Sequence, residues 1–261
     1  MPLQNDDFAA RLTCAPSGTE VVDELISSAR MQSDARVFLA TLDFEIMTNE
    51  GKRYLTCEMR RHWIMQQFAD YISRVVGSIQ DFRNPDDLNV GRRLQMLAYS
   101  QFWECRGVQR LLMQLVRIAN GREYDDRLLL DTKGSTFSVF QSMCKESKEA
   151  GLLLDEFLGA VYHNQIRNAF AHSEIWFTDE WIMFLNCDDT KDDHVPSLTT
   201  QTWDSLFAAT TGFIGPLFRA RLDLERELRS STPYRVDLPN LARPFELQKD
   251  DRGYWSARPV R

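Results

Sequence analysis

Three polar side chains come together at the end of an apolar helical pattern near the middle of the chain. Phe157 and Val161 fall on one face at about 100° per residue, and the same stripe continues to Asn168 and His172. Arg167 lies roughly a quarter turn to one side, and its long stem can reach the same place. A guanidinium is a fork of donors, an amide donates and accepts, and an imidazole exchanges protons near neutral pH. The spacing therefore predicts a hydrogen-bonding and acid–base site near a helix C-terminus.

Residues 167–172 read Arg-Asn-Ala-Phe-Ala-His. This run resembles the R-x4-6-H signature of the HEPN superfamily (higher eukaryotes and prokaryotes nucleotide-binding domains), including the polar residue that often follows the arginine. The small residues Ala169 and Ala171 and the hairpin pattern after the run agree with the resemblance. Many members of the superfamily are metal-independent endoribonucleases of toxin–antitoxin and anti-phage systems, and they work as dimers. The resemblance implies the same activity and assembly here.

The resemblance also implies a role for each polar residue of the signature. RNA would be cleaved by attack of a ribose 2′-OH on the neighbouring phosphate, with His172 as the acid–base group. Arg167 would hold the scissile phosphate and stabilise its developing charge, while Asn168 would orient one of the two. Two copies of the motif would meet across a dimer axis, so that each chain supplies half of a composite active site. No metal or other cofactor is implied, and the residues that would bind the rest of the RNA are not indicated.

The expected partners are therefore RNA, a second copy of the chain, and an antitoxin or regulatory protein. Some HEPN toxins extend the motif to H-x-Y and are controlled by modification of that tyrosine. This chain has Glu174 at the corresponding position, so that mode of control is not expected.

Two other interpretations of the motif stay open. A HEPN-like bundle can lack catalysis and bind RNA, a nucleotide or a protein, in which case Arg167, Asn168 and His172 form a polar network at a dimer interface. Alternatively, the motif is a coincidence in a helical scaffold. An amide and an imidazole on an apolar stripe argue against the scaffold, because leucine would serve better there.

Glu104 is a second candidate for the site. It falls inside the apolar face of the strongest helical pattern, where a carboxylate must be paired or open into a cleft. One interpretation makes it a supporting residue that orients Arg167 or His172. The other makes it a structural ion pair with Arg93 or Arg110. The sequence does not separate these two interpretations.

Two residues just before the motif are assigned no catalytic role. His163 lies about 140° around the helix from Asn168, which predicts a surface position. Tyr162 could stack on a base, but a tyrosine on an amphipathic helix is more often part of the core or its rim.

Composition limits the possible classes of protein. The 261 residues are 43% hydrophobic and 11% aromatic, which is ample for a packed core. A net charge of −7 argues against a surface that binds nucleic acid everywhere, although a small cleft needs only a local basic cluster. Five scattered cysteines suggest neither a disulfide framework nor a zinc knuckle. With no signal-like start and no 18-residue apolar run, we expect a cytoplasmic protein without a membrane partner.

The periodicities predict a mainly α fold, a HEPN-like helical bundle with one small β-hairpin after the motif helix. We expect an N-terminal helical region over 1–89 packed on the bundle, the HEPN-like helical domain over 90–231 with its hairpin at 174–186, and an extended C-terminal tail over 232–261. Four prolines in the tail leave little room for regular structure there. Ser17 or Thr19 is expected to cap the first helix. The predicted helices span about 20–30, 35–48, 52–79, 90–120, 136–149, 152–172 and 200–229.

Overall fold

The computed structural model describes residues 3–42, 85–125, 136–188 and 190–229, together with three strands at 234–236, 245–249 and 255–259. Its elements in chain order are α1 (Asn5–Cys14), α2 (Gly18–Gln32), α3 (Asp34–Leu42), α4 (Pro85–Glu104), α5 (Arg106–Ala119), α6 (Thr136–Glu149), α7 (Leu154–Val161), α8 (Asn164–Ala171), β1 (Ile175–Phe177), β2 (Trp181–Phe184), β3 (Ser197–Thr199), α9 (Thr200–Arg229), β4 (Tyr234–Val236), β5 (Phe245–Lys249) and β6 (Trp255–Pro259). The prediction of a mainly α fold is confirmed. The helix predicted over 52–79 and the second half of the one predicted over 35–48 lie outside the described residues.

The start of α2 follows from local sequence and from a close helix crossing. Ser17 caps the helix in a reciprocal pair of hydrogen bonds. The Ser17 hydroxyl accepts from the Glu20 backbone N–H at 3.3 Å, and the Ser17 backbone N–H donates to Glu20 Oε2 at 2.9 Å. This confirms Ser17 as one of the two predicted caps. A Cβ at Gly18 would lie 2.5 Å from the backbone of Phe213 in α9. Glycine is therefore required for α2 to approach α9 this closely.

The helix predicted over 90–120 is broken, so that part of the prediction is wrong. The chain leaves α4 after Glu104, passes through Cys105 at ψ 106°, and begins α5 at Arg106. The side-chain amide of Gln109 donates to the Trp103 carbonyl at 2.7 Å, which satisfies an acceptor near the end of α4. The break removes Glu104 from the apolar stripe and leaves its side chain 39% exposed at the end of α4.

The motif helix predicted over 152–172 is also broken, between α7 and α8. Tyr162 and His163 have extended backbone angles, with ψ 115° and 107°. The buried Tyr99 hydroxyl enters the gap, donating to the Val161 carbonyl and accepting from His163 N, each at 2.8 Å. A side chain inserted into the helical hydrogen-bond ladder is a recognised cause of a kink. Burial raises the pKa of Tyr99, so this hydroxyl keeps the proton that it donates.

The predicted hairpin is confirmed and gains a third strand. β1, β2 and β3 form an antiparallel sheet in that order, in which Trp176 pairs with Met183 and Ile182 pairs with Leu198. Side chains alternate across it, so Ile182 and Phe184 are buried against the helices while Trp176 and Met183 are exposed. The sheet comes directly after α8 and therefore borders the candidate site.

The last part of the chain contains a second antiparallel sheet, with the order β4–β5–β6. The expectation of little regular structure in this tail is wrong. Pro259 ends β6, an edge strand, and pairs with Phe245. An edge position tolerates a residue without an N–H donor, so this proline does not prevent pairing. Among the described helices, not one combines the length and the apolar composition that crossing a bilayer requires.

Candidate functional site

Arg167 is the centre of a small polar cluster at the junction of α4 and α8. Its Nη1 lies 3.3 Å from Glu104 Oε1, and its Nη2 donates to Asn164 Oδ1 at 3.0 Å and to Asn168 Oδ1 at 2.6 Å. We call Arg167, Glu104, Asn164 and Asn168 the Arg167 cluster. The Arg167 side chain is only 13% exposed, so these partners hold the guanidinium in one orientation.

Two buried polar side chains fix the first turn of α8 and therefore the base of the cluster. Tyr99 defines where α8 starts through its bonds on either side of the break. Gln165 is buried, donates to the Val195 carbonyl at 2.9 Å and accepts from Val195 N at 2.8 Å. Asn186 donates to the Gln165 carbonyl at 3.0 Å. The helix that carries Arg167 is thus tied to α4 on one side and to the segment after β2 on the other.

Glu104 pairs with Arg167, which is one of the two arrangements that the sequence left open. Arg93, a residue of the other arrangement, instead lies over the Phe177 ring at 4.9 Å from its centroid. The Glu104 carboxylate is more exposed than the guanidinium it contacts. Solvent or a ligand therefore reaches Glu104 more easily than it reaches Arg167.

His172 lies at the C-terminal cap of α8, with its N–H donating to the Asn168 carbonyl at 2.9 Å. The next residue, Ser173, has a left-handed backbone at φ 59°, and Glu174 N donates back to Ala169 O at 2.7 Å. We predicted that the apolar stripe of α7 continues to His172, and this is wrong. The break between α7 and α8 ends the helical register, so residues of α8 do not continue the α7 face. The His172 side chain is exposed, and no described residue hydrogen-bonds its imidazole. The ring is free to meet a ligand.

His163 was predicted on the surface, and that prediction is wrong. It is half-buried at the cap before α8, and its ring meets Phe8 of α1 edge to face with centroids 5.5 Å apart. Burial lowers the pKa of His163 to about 4, so the ring is neutral at neutral pH. Its Nδ1 has no hydrogen-bond partner among the described residues. His163 therefore belongs to the packing of the start of α8 against α1.

Tyr162 belongs to the core, which is one of the positions predicted for a tyrosine on an amphipathic helix. Its ring stacks on Phe140 at 4.0 Å and meets the edge of Trp103 at 5.8 Å. Burial raises the pKa of Tyr162 to about 12. Its hydroxyl lies 3.4 Å from Asn164 Oδ1, so Tyr162 supports the cluster from below and is not placed for stacking on a base.

Sequence reasoning missed two residues that shape the site, Asn164 and Tyr99. Asn164 stands three residues before Arg167, a spacing that places two helical side chains side by side, so the signal was present. Tyr99 gave no such signal, because it acts on a backbone 62 residues away. The Arg167 Nε also lacks a hydrogen-bond partner among the described residues, which leaves one donor of the cluster unused.

The arrangement combines a fixed cation on α8, a carboxylate from the end of α4 beside it, and an exposed imidazole at the C-terminal cap of α8. These groups suit binding of an anion and transfer of a proton, provided the guanidinium can be reached. The described part of the chain holds no group of three or more His, Cys, Asp or Glu side chains placed to bind a metal ion. No protein-family model, curated protein or solved structure matches this chain.

Proposed function

We propose that this chain is an endoribonuclease that cleaves RNA without a metal ion, in a toxin or anti-phage role. One observation carries the proposal: Arg167 is held by Glu104 of α4 and by two asparagines of its own helix, α8, and that helix ends at the exposed imidazole of His172. A positioned guanidinium and an imidazole are the two kinds of group that cleavage of a phosphodiester by internal attack needs. The R-x4-6-H resemblance adds to that geometry.

The proposed reaction uses only groups of RNA and of this protein. A ribose 2′-oxygen attacks the adjacent phosphorus and forms a new O–P bond while the bond to the 5′-oxygen breaks. A base removes the proton of the 2′-OH, and an acid gives a proton to the departing 5′-oxygen. The products are a 2′,3′-cyclic phosphate and a 5′-OH. His172 performs proton transfer, Arg167 stabilises the charge on the phosphate oxygens, and Asn168 positions Arg167.

A second copy of the chain completes the proposed site. One imidazole cannot be base and acid in the same step, so two histidines, one from each protomer, divide the two proton transfers. Symmetric dimers are the commonest assembly and bring two equal motifs together at their axis. An antitoxin or regulatory protein would keep such an enzyme inactive until it is needed.

The test is cleavage of mixed RNA by the purified full chain in EDTA, with analysis of the new ends. We expect 2′,3′-cyclic phosphate ends from wild type, and rates at least about 100-fold lower for His172→Ala and Arg167→Ala. Arg122→Ala is the matched control, because Arg122 also contacts two carboxylates, Glu146 at 3.2 Å and Glu149 at 3.7 Å. It should cleave like wild type. A purified wild-type dimer that leaves RNA intact would rule out the enzyme.

The burial of Arg167 favours one alternative, a non-catalytic module that binds RNA, a nucleotide or a protein. The guanidinium is 13% exposed and already paired, so a phosphate reaches it fully only when the Glu104 contact opens. In this alternative the cluster is a structural network near a dimer interface. Intact RNA with wild type, combined with loss of the dimer in Arg167→Ala, would favour the module. Growth arrest on expression of wild type but not of His172→Ala would favour the toxin.

A further inference from the structure

The sheet after the motif exposes an apolar face to solvent. Trp176 is 62% exposed and Leu185 is 66% exposed, and Trp181 and Met183 are exposed beside them. We call these four side chains the outer face. Large apolar side chains that stand together at the surface of a protein mark binding surfaces more often than isolated ones do.

The outer face is held rigidly from behind. Trp176 and Met183 are register partners, and the residues that alternate with Met183, Ile182 and Phe184, are buried in the core. Successive rows of the face lie two residues apart along the strands, about 7 Å. The face therefore presents apolar side chains at the repeat that alternate residues of an extended chain would match.

The rim of the outer face is acidic. No Lys or Arg occurs between Glu174 and Asp188. Glu174 lies opposite Leu185, whose N–H donates to the Glu174 carbonyl at 2.8 Å, and Asp179 and Glu180 form the turn at the other end of the hairpin. Carboxylates therefore stand at both ends of the apolar rows, five to six residues or about 17 Å apart along the strand.

We propose that the outer face binds an extended protein segment that is apolar at alternate positions and carries a Lys or Arg at each end. The apolar positions would cover the tryptophans, and the two cations would meet Glu174 at one end and Asp179 with Glu180 at the other. Charge complementarity of this kind selects a partner and speeds its association. The occupant is distinct from the RNA and from the second copy in the proposed enzyme.

The same charges argue against two other occupants. RNA could stack bases on Trp176 and Trp181, but its phosphates would meet the carboxylates of Glu174, Asp179 and Glu180 at the two ends of the apolar rows. A second copy would bring an identical acidic rim against this one. A basic protein segment gains from both the apolar rows and the rim.

The probe is a short fluorescein-labelled peptide with Leu at alternate positions and a Lys at each end, titrated with the full chain and followed by fluorescence anisotropy. Its twin has Glu in place of each Lys. We expect the Lys peptide to bind at least about tenfold more tightly than its twin, and added salt to weaken its binding. Trp176→Ser should weaken binding of the Lys peptide at least about tenfold.

Met31→Ser is the matched control, because Met31 is 80% exposed but belongs to α2 and not to the sheet. It should bind the Lys peptide like wild type. If Trp176→Ser does not fold by circular dichroism, Leu185→Ser replaces it with the same expectation. Glu174→Gln should weaken the Lys peptide and leave its twin unchanged or tighter.

Several results would overturn the proposal. One is a Lys peptide that binds wild type and Trp176→Ser equally, or no better than its twin. Another is single-stranded RNA that binds wild type and loses affinity in Trp176→Ser, which would make the face a base-stacking surface. A third is a wild-type dimer that becomes a monomer in Trp176→Ser by analytical ultracentrifugation, which would make it an interface between copies.

Discussion

The Arg167 cluster and the outer face lie close in sequence but differ in the solvent exposure of their side chains. The cluster withdraws a guanidinium to 13% exposure and surrounds it with hydrogen-bond partners. The outer face leaves two tryptophans and two aliphatic side chains in solvent. A polar group that is buried must be satisfied, whereas an apolar group that is exposed costs little stability in the free protein. Substitutions should therefore disturb folding at the cluster and binding at the face.

The largest expected difference between the two regions is in how much folding stability depends on a residue of each region when the pH falls. His163 caps the start of α8, the helix that carries Arg167, and burial lowers its pKa to about 4 from a usual value of about 6.5. The unfolded chain therefore takes up a proton before the folded protein does. The contribution of His163 to the free energy of unfolding should be fully present above about pH 6.5. It should be lost as the pH drops toward 4, by at most about 3 kcal/mol.

The measurement is the free energy of unfolding in urea across that pH range, for wild type and for His163→Leu. The variant should lose less stability on acidification, although Asp193 and His194, which influence His163, remain. Trp176→Ser, at the outer face, should keep the wild-type pH profile. Parallel profiles for wild type and His163→Leu would show that His163 does not carry the effect.

Tyr99→Phe should give the next largest effect. The substitution removes one hydroxyl and leaves the Val161 carbonyl and the His163 N–H without their partner in the gap between α7 and α8. Each unsatisfied buried group costs about 1 kcal/mol or more, so we expect a loss of about 2 kcal/mol in the free energy of unfolding. Tyr162→Phe is the matched control, since its hydroxyl makes one long contact of 3.4 Å. Equal losses in the two variants would contradict the role given to Tyr99.

The structure also explains which elements and site residues could be predicted from the sequence. Local patterns in the sequence predict α2, α6 and α9, the Ser17 cap and the hairpin, because each depends on neighbours along the chain. The two helix breaks depend on other contacts, above all the Tyr99 hydroxyl, which acts across 62 residues. Since His172 sits beyond a break, its exposure could not be derived from a stripe extended through the break. Its proposed role in RNA cleavage stays a prediction.

Glu104 should matter more for activity than for stability. The pair with Arg167 is part-exposed, so Glu104→Gln should change the free energy of unfolding by no more than about 1 kcal/mol. If Glu104 positions Arg167, Glu104→Gln should keep RNA cleavage, because an amide oxygen can still accept from Nη1, while Glu104→Ala should lose it. Glu146→Ala removes the comparable contact with Arg122 and should leave cleavage unchanged. Equal activity in Glu104→Gln and Glu104→Ala would limit Glu104 to a structural role.

The smallest expected effect on folding belongs to the outer face. Leu185→Ser removes an aliphatic side chain that is already mostly in water, so we expect a change of less than about 0.5 kcal/mol in the free energy of unfolding. Leu198→Ser on the buried side of the same sheet is the matched contrast and should cost about 2 kcal/mol or more. Urea unfolding of both variants measures the difference. A large loss for Leu185→Ser would mean that the outer face is covered within the free protein, and its exposed side chains could then not be held for a partner.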